Sequence, residues 1–284
     1  MTKGSSNKVV KALTTLAKIS PLSINDLRLI LALERVVARL EMHEMLKNKL
    51  VFKGGFVLLK TLGSQRFTRD IDASAQNISK GTMLSYIIEA LRINLNDELY
   101  FYNPNIEEMM EDKQYGGYRV NIPFQIGYNV TDEHKIKKLP RVHLDISFDD
   151  AVKPTELKSL LYSIIDEFPP VSWSIYPIER IISEKLETLV SRGSGNSRSK
   201  DLYDIVTVFK NIDNFPALKA TMEKTFRERG TVLPNSFSSF FDSLDLLILR
   251  NSWKAITFQE NELSFDECIN DLKIILRKID DIFT

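Results

Sequence analysis

Residues 53–74, KGGFVLLKTLGSQRFTRDIDAS, place two adjacent glycines before a short apolar run and an Asp-x-Asp pair after it. The apolar run FVLL predicts a short helix that begins at Gly54-Gly55, and the stretch around the aspartates predicts a strand. Because side chains alternate along a strand, Asp70 and Asp72 would project to the same side. The segment therefore combines a helix start made of glycine with a pair of carboxylates.

A third carboxylate lies in the second of two further predicted strands. Residues 119–130, RVNIPFQIGYNV, and 141–148, RVHLDISF, both alternate between apolar and other residues. The polar segment TDEHKIKKLP joins them, which predicts an antiparallel hairpin. Asp145 lies on the polar side of the second strand. If that strand neighbours the Asp-x-Asp strand, Asp145 converges with Asp70 and Asp72.

Three converging carboxylates predict a metal site. Like charges that close repel each other unless a cation neutralises them. Hard oxygen ligands suit Mg²⁺ (or Mn²⁺), which usually keeps positions for water and substrate phosphates. The backbone N–H groups at Gly54 and Gly55 would open a helix start, where a phosphate is favoured. The pattern thus predicts a site for a divalent ion and a nucleotide.

Composition excludes several classes of protein. The 284 residues carry a formal net charge of zero, so a nucleic-acid partner must meet a local basic patch. The single cysteine, Cys268, excludes an internal disulfide and a cysteine-based zinc site. No apolar run approaches the length of a membrane span, and the N-terminus MTKGSSNKVV lacks the apolar core of a signal peptide. We therefore expect a cytoplasmic protein without a membrane partner.

Two domains are predicted along the chain. Residues 1–170 read as a mixed α/β core with N-terminal helices, and residues 171–284 as a helical domain that completes the active-site cleft. An acidic loop is predicted at residues 103–117. The predicted helices cover residues 23–40, 54–62, 79–100, 178–192, 200 onward, 216–228, 236–254 and 264–282.

Two cations interrupt an apolar stripe in the helical half. Lys185 and Arg192 fall within the stripe of the helix that begins at Ile178, and Asp201 lies beside the stripe of the next helix. Buried cations need partners. One interpretation aims Lys185 and Arg192 at a triphosphate, with Asp201 or Asp204 orienting them. The alternatives are a lysine whose stem covers apolar surface and terminal charges that complement the helix dipoles.

These motifs together resemble the AbiEii/AbiGii toxin family (MenT-type) of the polymerase-β-like nucleotidyltransferases. The match consists of Lys53-Gly54-Gly55, fourteen intervening residues before Asp70, RFTRDID at 66–72, HLDIS around Asp145, Glu184-Lys185-Leu186 followed by Arg192, and KDLYDI at 200–205. It spans roughly residues 23–210. Phe56 departs from the pattern, because a small hydroxyl residue usually follows the glycines in this family.

The resemblance implies an α+β fold, namely a polymerase-β-like core with a mixed sheet followed by a C-terminal helical bundle. It implies transfer of a nucleoside monophosphate from an NTP to an RNA, with a tRNA 3′ end as acceptor, a block of translation, and a cognate antitoxin as partner. It assigns catalysis to Asp70, Asp72, Asp145, Lys185 and Asp201, metal binding to Asp70, Asp72 and Asp145, and nucleotide binding to Gly54, Gly55, Thr68, Lys185, Arg192 and Asp204.

The RNA contacts and two other functions stay open at this point. Candidate RNA contacts are Arg66, Arg69, Arg192, Arg198 and Lys200. The same core would also serve a small-molecule nucleotidyltransferase of the antibiotic-modifying type, which differs in its acceptor pocket. A non-catalytic nucleotide-binding protein is the other alternative, and the presence of all three carboxylates and Lys185 argues against it.

Overall fold

The structure, a computed structural model, describes residues 7–109, 116–148, 157–258 and 263–284. The chain divides into two compact units. The first contains Met1–Lys60, Thr68–Asp150 and Glu156–Ile175, and the second contains Thr61–Phe67, Ala151–Thr155 and Tyr176–Thr284. The prediction of two domains that divide near residue 170 stays a prediction, since compactness by itself does not test independent folding.

A mixed sheet forms the centre of the first unit. Its strands are β1 Leu50–Lys53, β2 Asp70–Ala75, β3 Leu99–Phe101, β4 Asn105–Met109, β5 Gly117–Ile126, β6 Arg141–Ser147, β7 Leu157–Leu161 and β8 Val171–Ile175. They lie in the order β3-β5-β6-β2-β1-β8-β7, and β4 pairs with the N-terminal half of β5. The pairs β2–β6 and β1–β8 are parallel, and the other pairs are antiparallel.

The helices of the first unit are α1 Lys8–Leu16, α2 Ile24–Met42, α3 Gly54–Leu62, α4 Lys80–Leu91 and α5 Glu133–Ile136; α3 ends beyond this unit's boundary at Lys60. Those of the second unit are α6 Ile178–Arg192, α7 Ser199–Val208, α8 Phe215–Glu228, α9 Phe237–Asp242, α10 Leu247–Trp253 and α11 Phe265–Phe283. None of the helices in the described ranges combines the length and apolarity that a membrane crossing needs. The predicted α+β class, with a mixed sheet followed by a helical C-terminal part, is confirmed.

Helix α2 is largely buried and carries two arginines of a buried ion cluster. Ser23 caps its start by accepting a hydrogen bond from the Asp26 amide. Arg35 and Arg39, both buried on α2, donate to the Asp97 carboxylate at 2.7–2.8 Å. Burial alone would raise the pKa of the Asp97 carboxyl, but hydrogen bonds and charge from the two arginines outweigh it and lower the pKa. The carboxylate is therefore ionised and paired at neutral pH.

Several elements differ from the sequence-based predictions. The helix predicted over residues 79–100 ends at Leu91, and β3 follows it. The acidic loop predicted over residues 103–117 contains strand β4, and its residues 110–115 lie outside the described residues. Residues 236–254 form two short helices rather than one. Strand β4 is mostly exposed and lacks the apolar alternation that marks a strand in a sequence, which explains why it was missed.

Strands β7 and β8 were also not predicted. Strand β7 lies at the edge of the sheet and is mostly exposed, so its apolar residues give no clean alternation. Strand β8 is short, and its last three residues are buried in succession. Such a continuous run does not distinguish a strand from a buried helix.

We predict that Asp97→Asn lowers the free energy of unfolding by about 3 kcal/mol, because two buried guanidinium groups lose their counter-charge. Urea unfolding at pH 7 measures the change. Asp166→Asn, an exposed carboxylate of the same unit, serves as control and should stay within about 0.5 kcal/mol of the parent protein. Equal values for the two variants would show that the cluster adds little to stability.

Candidate active site

The glycine pair forms a direct junction between strand and helix. Lys53 is the last residue of β1, and Gly54 is the first residue of α3. Gly54 has φ +72°, a left-handed conformation that favours glycine. A β-carbon at this position would overlap the Asp72 carboxylate. Glycine is therefore required both for the turn and for the close approach of the start of α3 to Asp72.

The pairing of β2 with β6 brings the predicted carboxylates to one face of the sheet. In this parallel pair, Asp72 lies opposite Asp145, and Asp70 lies opposite His143. Residues opposite each other in a sheet project to the same face, as do residues two apart in one strand. The four side chains are half-buried, whereas the alternate positions such as Leu144 are fully buried. The expected convergence of the three carboxylates on one face is present.

A row of charged residues crosses this face from strand to strand. Lys53 lies opposite Asp72, Asp72 opposite Asp145, Asp145 opposite Arg119, and Arg119 opposite Glu107. The two central carboxylates thus have a cation on each outer side. We call these five residues the charged row. It places a positive charge beside each of two neighbouring carboxylates.

Arg119 holds Asp145 in a two-pronged ion pair. Its Nε donates to Oδ1 at 2.8 Å and its Nη2 to Oδ2 at 2.6 Å. Hydrogen bonding to Asp145 and the negative charges of Asp145, Asp70 and Asp72 raise the pKa of the Arg119 guanidinium above its usual value. Both oxygens of Asp145 are therefore engaged by a permanent cation. Sequence reasoning missed Arg119, since its only signal was a place in a predicted strand.

The chemistry of these side chains fits one divalent ion held by Asp70 and Asp72. Both supply hard oxygen atoms at half-exposed positions of one face. Among the described residues, no group of three or more histidine, cysteine, aspartate or glutamate side chains is arranged to hold a metal ion. Asp145, which was predicted as the third ligand, has its oxygens paired with Arg119. The predicted ligand roles stay predictions.

Three further residues of this unit have defined partners. Phe56 is fully buried, and its ring packs edge-on against Trp173 at 5.9 Å between centroids. The buried Thr68 donates its hydroxyl to the Asp70 carbonyl at 3.4 Å. His143 Nδ1 forms a hydrogen bond with Asn121 Oδ1 at 2.6 Å, and in the described part of the chain this ring belongs to no group of three or more side chains arranged to hold a metal ion.

The second unit contains a buried ion network that joins helices α6 and α7 with residues 61–67. Lys185 Nζ lies 2.6 Å from Asp201 Oδ1 and 2.9 Å from Asp204 Oδ2. Arg66 donates two hydrogen bonds of 2.9 Å to the Asp204 carboxylate. Arg198 Nε donates to Asp201 Oδ2 at 2.6 Å. Three cations thus surround two carboxylates.

All the charges of this network persist at neutral pH. Burial alone would lower the pKa of the Lys185 ammonium, but attraction to Asp201 and Asp204 outweighs it and raises the pKa. Burial would raise the pKa of both carboxyls, yet their cation partners lower that of Asp201 to about 2 and that of Asp204 below its usual value. The burial of Lys185 within the apolar stripe of α6 is therefore explained by ion pairs inside the unit.

The remaining predicted residues differ in their placement. Arg192 lies exposed in the last turn of α6, and its role at a triphosphate stays a prediction. Lys185 pairs with Asp201 and Asp204, while the orienting role of these carboxylates and the role of Lys185 at a triphosphate stay predictions. The expectation that Arg66 contacts RNA is wrong, because its guanidinium is buried and paired with Asp204.

We predict that Gly54→Ala lowers the free energy of unfolding by about 2 kcal/mol or more. Gly63→Ala is the matched control, because Gly63 also has a positive φ but has no atom within 4 Å of an added β-carbon. It should lose only the backbone term of about 1 kcal/mol. Urea unfolding compares the two variants. Equal losses would show that the contact with Asp72 carries no constraint.

We predict that Lys185→Met lowers the free energy of unfolding by about 3 kcal/mol at pH 7, because Asp201 and Asp204 lose a shared cation. The Asp201 carboxyl has its pKa lowered from 3.8 to about 2, so its contribution is present above about pH 4 and is lost as the pH falls toward 2. The difference between parent and variant should therefore shrink between pH 4 and pH 2. Urea unfolding at several pH values measures it, and the exposed Lys200→Met serves as control. A loss that is independent of pH would contradict the ion network.

A family model for the nucleotidyl transferase AbiEii toxin of type IV toxin–antitoxin systems matches residues 35–271. A comparison with curated proteins gives no match. Among solved structures, JHP933 from Helicobacter pylori is 19% identical with a TM-score of 0.56, over 92% of this chain and 94% of that chain. MenT4, a nucleotidyltransferase toxin from Mycobacterium tuberculosis H37Rv, is 16% identical with a TM-score of 0.57, over 98% of this chain and 89% of that chain.

The two solved structures share the fold with this chain, which agrees with the predicted nucleotidyltransferase architecture. The family model covers most of the sequence, including every residue of the glycine turn, the carboxylate face and the ion network. The family implies a nucleotide substrate and an antitoxin partner. The chain is a nucleotidyltransferase that belongs to the AbiEii toxin family.

Proposed function

We propose that the protein transfers a nucleoside monophosphate from an NTP to the 3′ hydroxyl of an RNA. The RNA is a tRNA, which is modified at its acceptor end, and translation is blocked as a result. We place it in the cytoplasm with these substrates. The observation that carries the proposal is the contact of the Gly54 turn with Asp72, beside Asp70. It puts a helix start suited to phosphate next to oxygen ligands suited to a divalent ion.

The start of α3 supports the phosphate part of the proposal. The first amides of a helix have no partner within the helix, and its dipole favours an anion there. Gly54 and Gly55 have no side chain that would keep a phosphate from these amides. The buried Phe56 replaces the hydroxyl typical of the family, so phosphate binding at this turn relies on the backbone.

Asp70 and Asp72 would hold the divalent ion. When bound, such an ion neutralises charge on the triphosphate and on the departing pyrophosphate. In the proposed reaction the RNA hydroxyl oxygen forms a bond to the α-phosphorus, and the bond from that phosphorus to the oxygen of the β-phosphate breaks. Pyrophosphate leaves, and the hydroxyl proton passes to water or to a carboxylate of this face.

Residues of the second unit are proposed to support nucleotide binding. The resemblance implies that Lys185 and Arg192 bind the triphosphate. It implies that Asp201 and Asp204 orient these two cations. The ion pairs of Lys185 support the orienting part, since they fix its ammonium from two sides. Three cations and two carboxylates leave the network with one net positive charge, a sign that suits an anionic ligand.

The acceptor is the least specified part of the proposal. The chain has no net charge, so RNA must bind through a local cluster of cations. Arg198 and Lys200 are exposed at the start of α7, and Arg69 is exposed just before β2. Such contacts would make RNA modification fall steeply with salt.

We predict that incubation of the protein with each α-labelled NTP, total RNA and Mg²⁺ labels RNA of tRNA size. Asp70→Asn and Asp72→Asn should each lower the rate at least a hundredfold, about 2.7 kcal/mol in transition-state terms. A gel with quantified label measures it, and Asp166→Asn should label RNA at the parental rate. Label that joins only a small hydroxylated compound would favour the small-molecule alternative, and full activity of either variant would contradict the proposed metal site.

A further inference from the structure

The ion pair of Arg119 with Asp145 has a consequence for the number of metal ions, given the function proposed above. Both oxygens of Asp145 accept hydrogen bonds from one guanidinium, at 2.8 and 2.6 Å. The Arg119 side chain is 40% exposed, and that of Asp145 is 15% exposed. The pair therefore lies on the half-buried carboxylate face rather than in the core.

The charges on this face match one divalent ion. Asp70 and the carboxylates of the charged row, Asp72, Asp145 and Glu107, carry four negative charges, and the cations of that row, Lys53 and Arg119, return two positive charges, which leaves two. A single divalent ion balances that remainder. A second divalent ion would leave an excess of positive charge beside a guanidinium that cannot lose its proton, and like charges so close repel each other.

The geometry of the two-pronged ion pair between Arg119 and Asp145 also favours a single metal ion. A carboxylate that binds an arginine through both oxygens is fixed in one plane and orientation. To serve as a metal ligand, Asp145 would have to share those oxygens with a divalent ion while Arg119 stays within hydrogen-bonding distance. Asp70 and Asp72 have no such fork from Arg119, although their charges also act on it.

We propose that Arg119 takes the place of a second metal ion on this face. Asp70 and Asp72 hold one divalent ion, and Asp145 positions the Arg119 guanidinium instead of binding metal. Arg119 then supplies a fixed single positive charge where the three-carboxylate prediction requires a metal ion. Its register opposite Asp145 in β5 makes this placement a property of the sheet.

The number of Mn²⁺ ions bound to the full-length protein tests the proposal without any turnover. Electron paramagnetic resonance of free Mn²⁺ gives the stoichiometry and affinity for the metal alone. The parent protein should bind one ion. Arg119→Gln should bind a second ion, because the oxygens of Asp145 are released and the face becomes more negative by one charge. The double variant Arg119→Gln with Asp145→Asn should return to one ion.

Two single variants give an independent reading if Arg119→Gln is poorly folded. Asp145→Asn should still bind one ion, with an affinity no more than about tenfold weaker, because Arg119 then acts as an unpaired charge. Arg119→Lys keeps the positive charge and should also bind one ion. Arg141→Gln, an exposed arginine on β6 outside the charged row, is the matched control and should bind as the parent does.

Two results would overturn the proposal. Two ions in the parent protein that fall to one in Asp145→Asn would make Asp145 a ligand, as the sequence alone suggested. One ion in both the parent and a folded Arg119→Gln variant would show that Arg119 does not exclude a second ion. Asp72→Asn separates this failure from that of the proposed function: unchanged Mn²⁺ binding in that variant would remove the metal site itself.

Discussion

Repulsion between carboxylates on adjacent strands is the constraint that organises the face of the sheet on which Asp70, Asp72 and Asp145 lie. The parallel register of β2 and β6 puts Asp72 directly beside Asp145, with Asp70 one step along the same face. Such a face is unfavourable unless positive charge lies within a few ångströms. The sheet supplies Arg119 opposite Asp145 and Lys53 opposite Asp72 through the register of the neighbouring strands. The negative charge that these cations do not neutralise is available to bind a divalent ion.

The second unit also contains neighbouring carboxylates, and there they are buried. Its carboxylates Asp201 and Asp204 are fully enclosed, and each accepts hydrogen bonds or ion pairs from two cations. Buried ion pairs add little net stability over apolar residues, but the removal of one partner is costly. The network therefore links α6 to α7 through ion pairs that the loss of a single cation would disrupt. The Lys185 ammonium group, which pairs with both carboxylates, is thereby fixed in one orientation.

Local patterns in the sequence were enough for part of this structure. Apolar periodicity predicted α2, α6, α8 and α11 to within a few residues, and the Asp-x-Asp spacing predicted one face for Asp70 and Asp72. The partner of Asp145 could not be predicted, because Arg119 lies 26 residues away along the chain and meets it only through the register of two strands. The ion pair of Arg66 could not be predicted for the same reason, since its partner Asp204 lies 138 residues away. The exposed edge strands β4 and β7 could not be predicted because they carry no apolar alternation.

The burial of Phe56 against Trp173 has a consequence for how this sequence can evolve. A hydroxyl residue at that position would restore the usual family pattern beside the glycines. It would also leave a void in the core, and replacing a buried phenylalanine by a small residue costs about 3–5 kcal/mol. That loss is a large share of the total stability of an ordinary domain, about 5–15 kcal/mol. The hydroxyl is thus accessible only together with compensating changes around Trp173, so the two positions are expected to vary as a pair among related sequences.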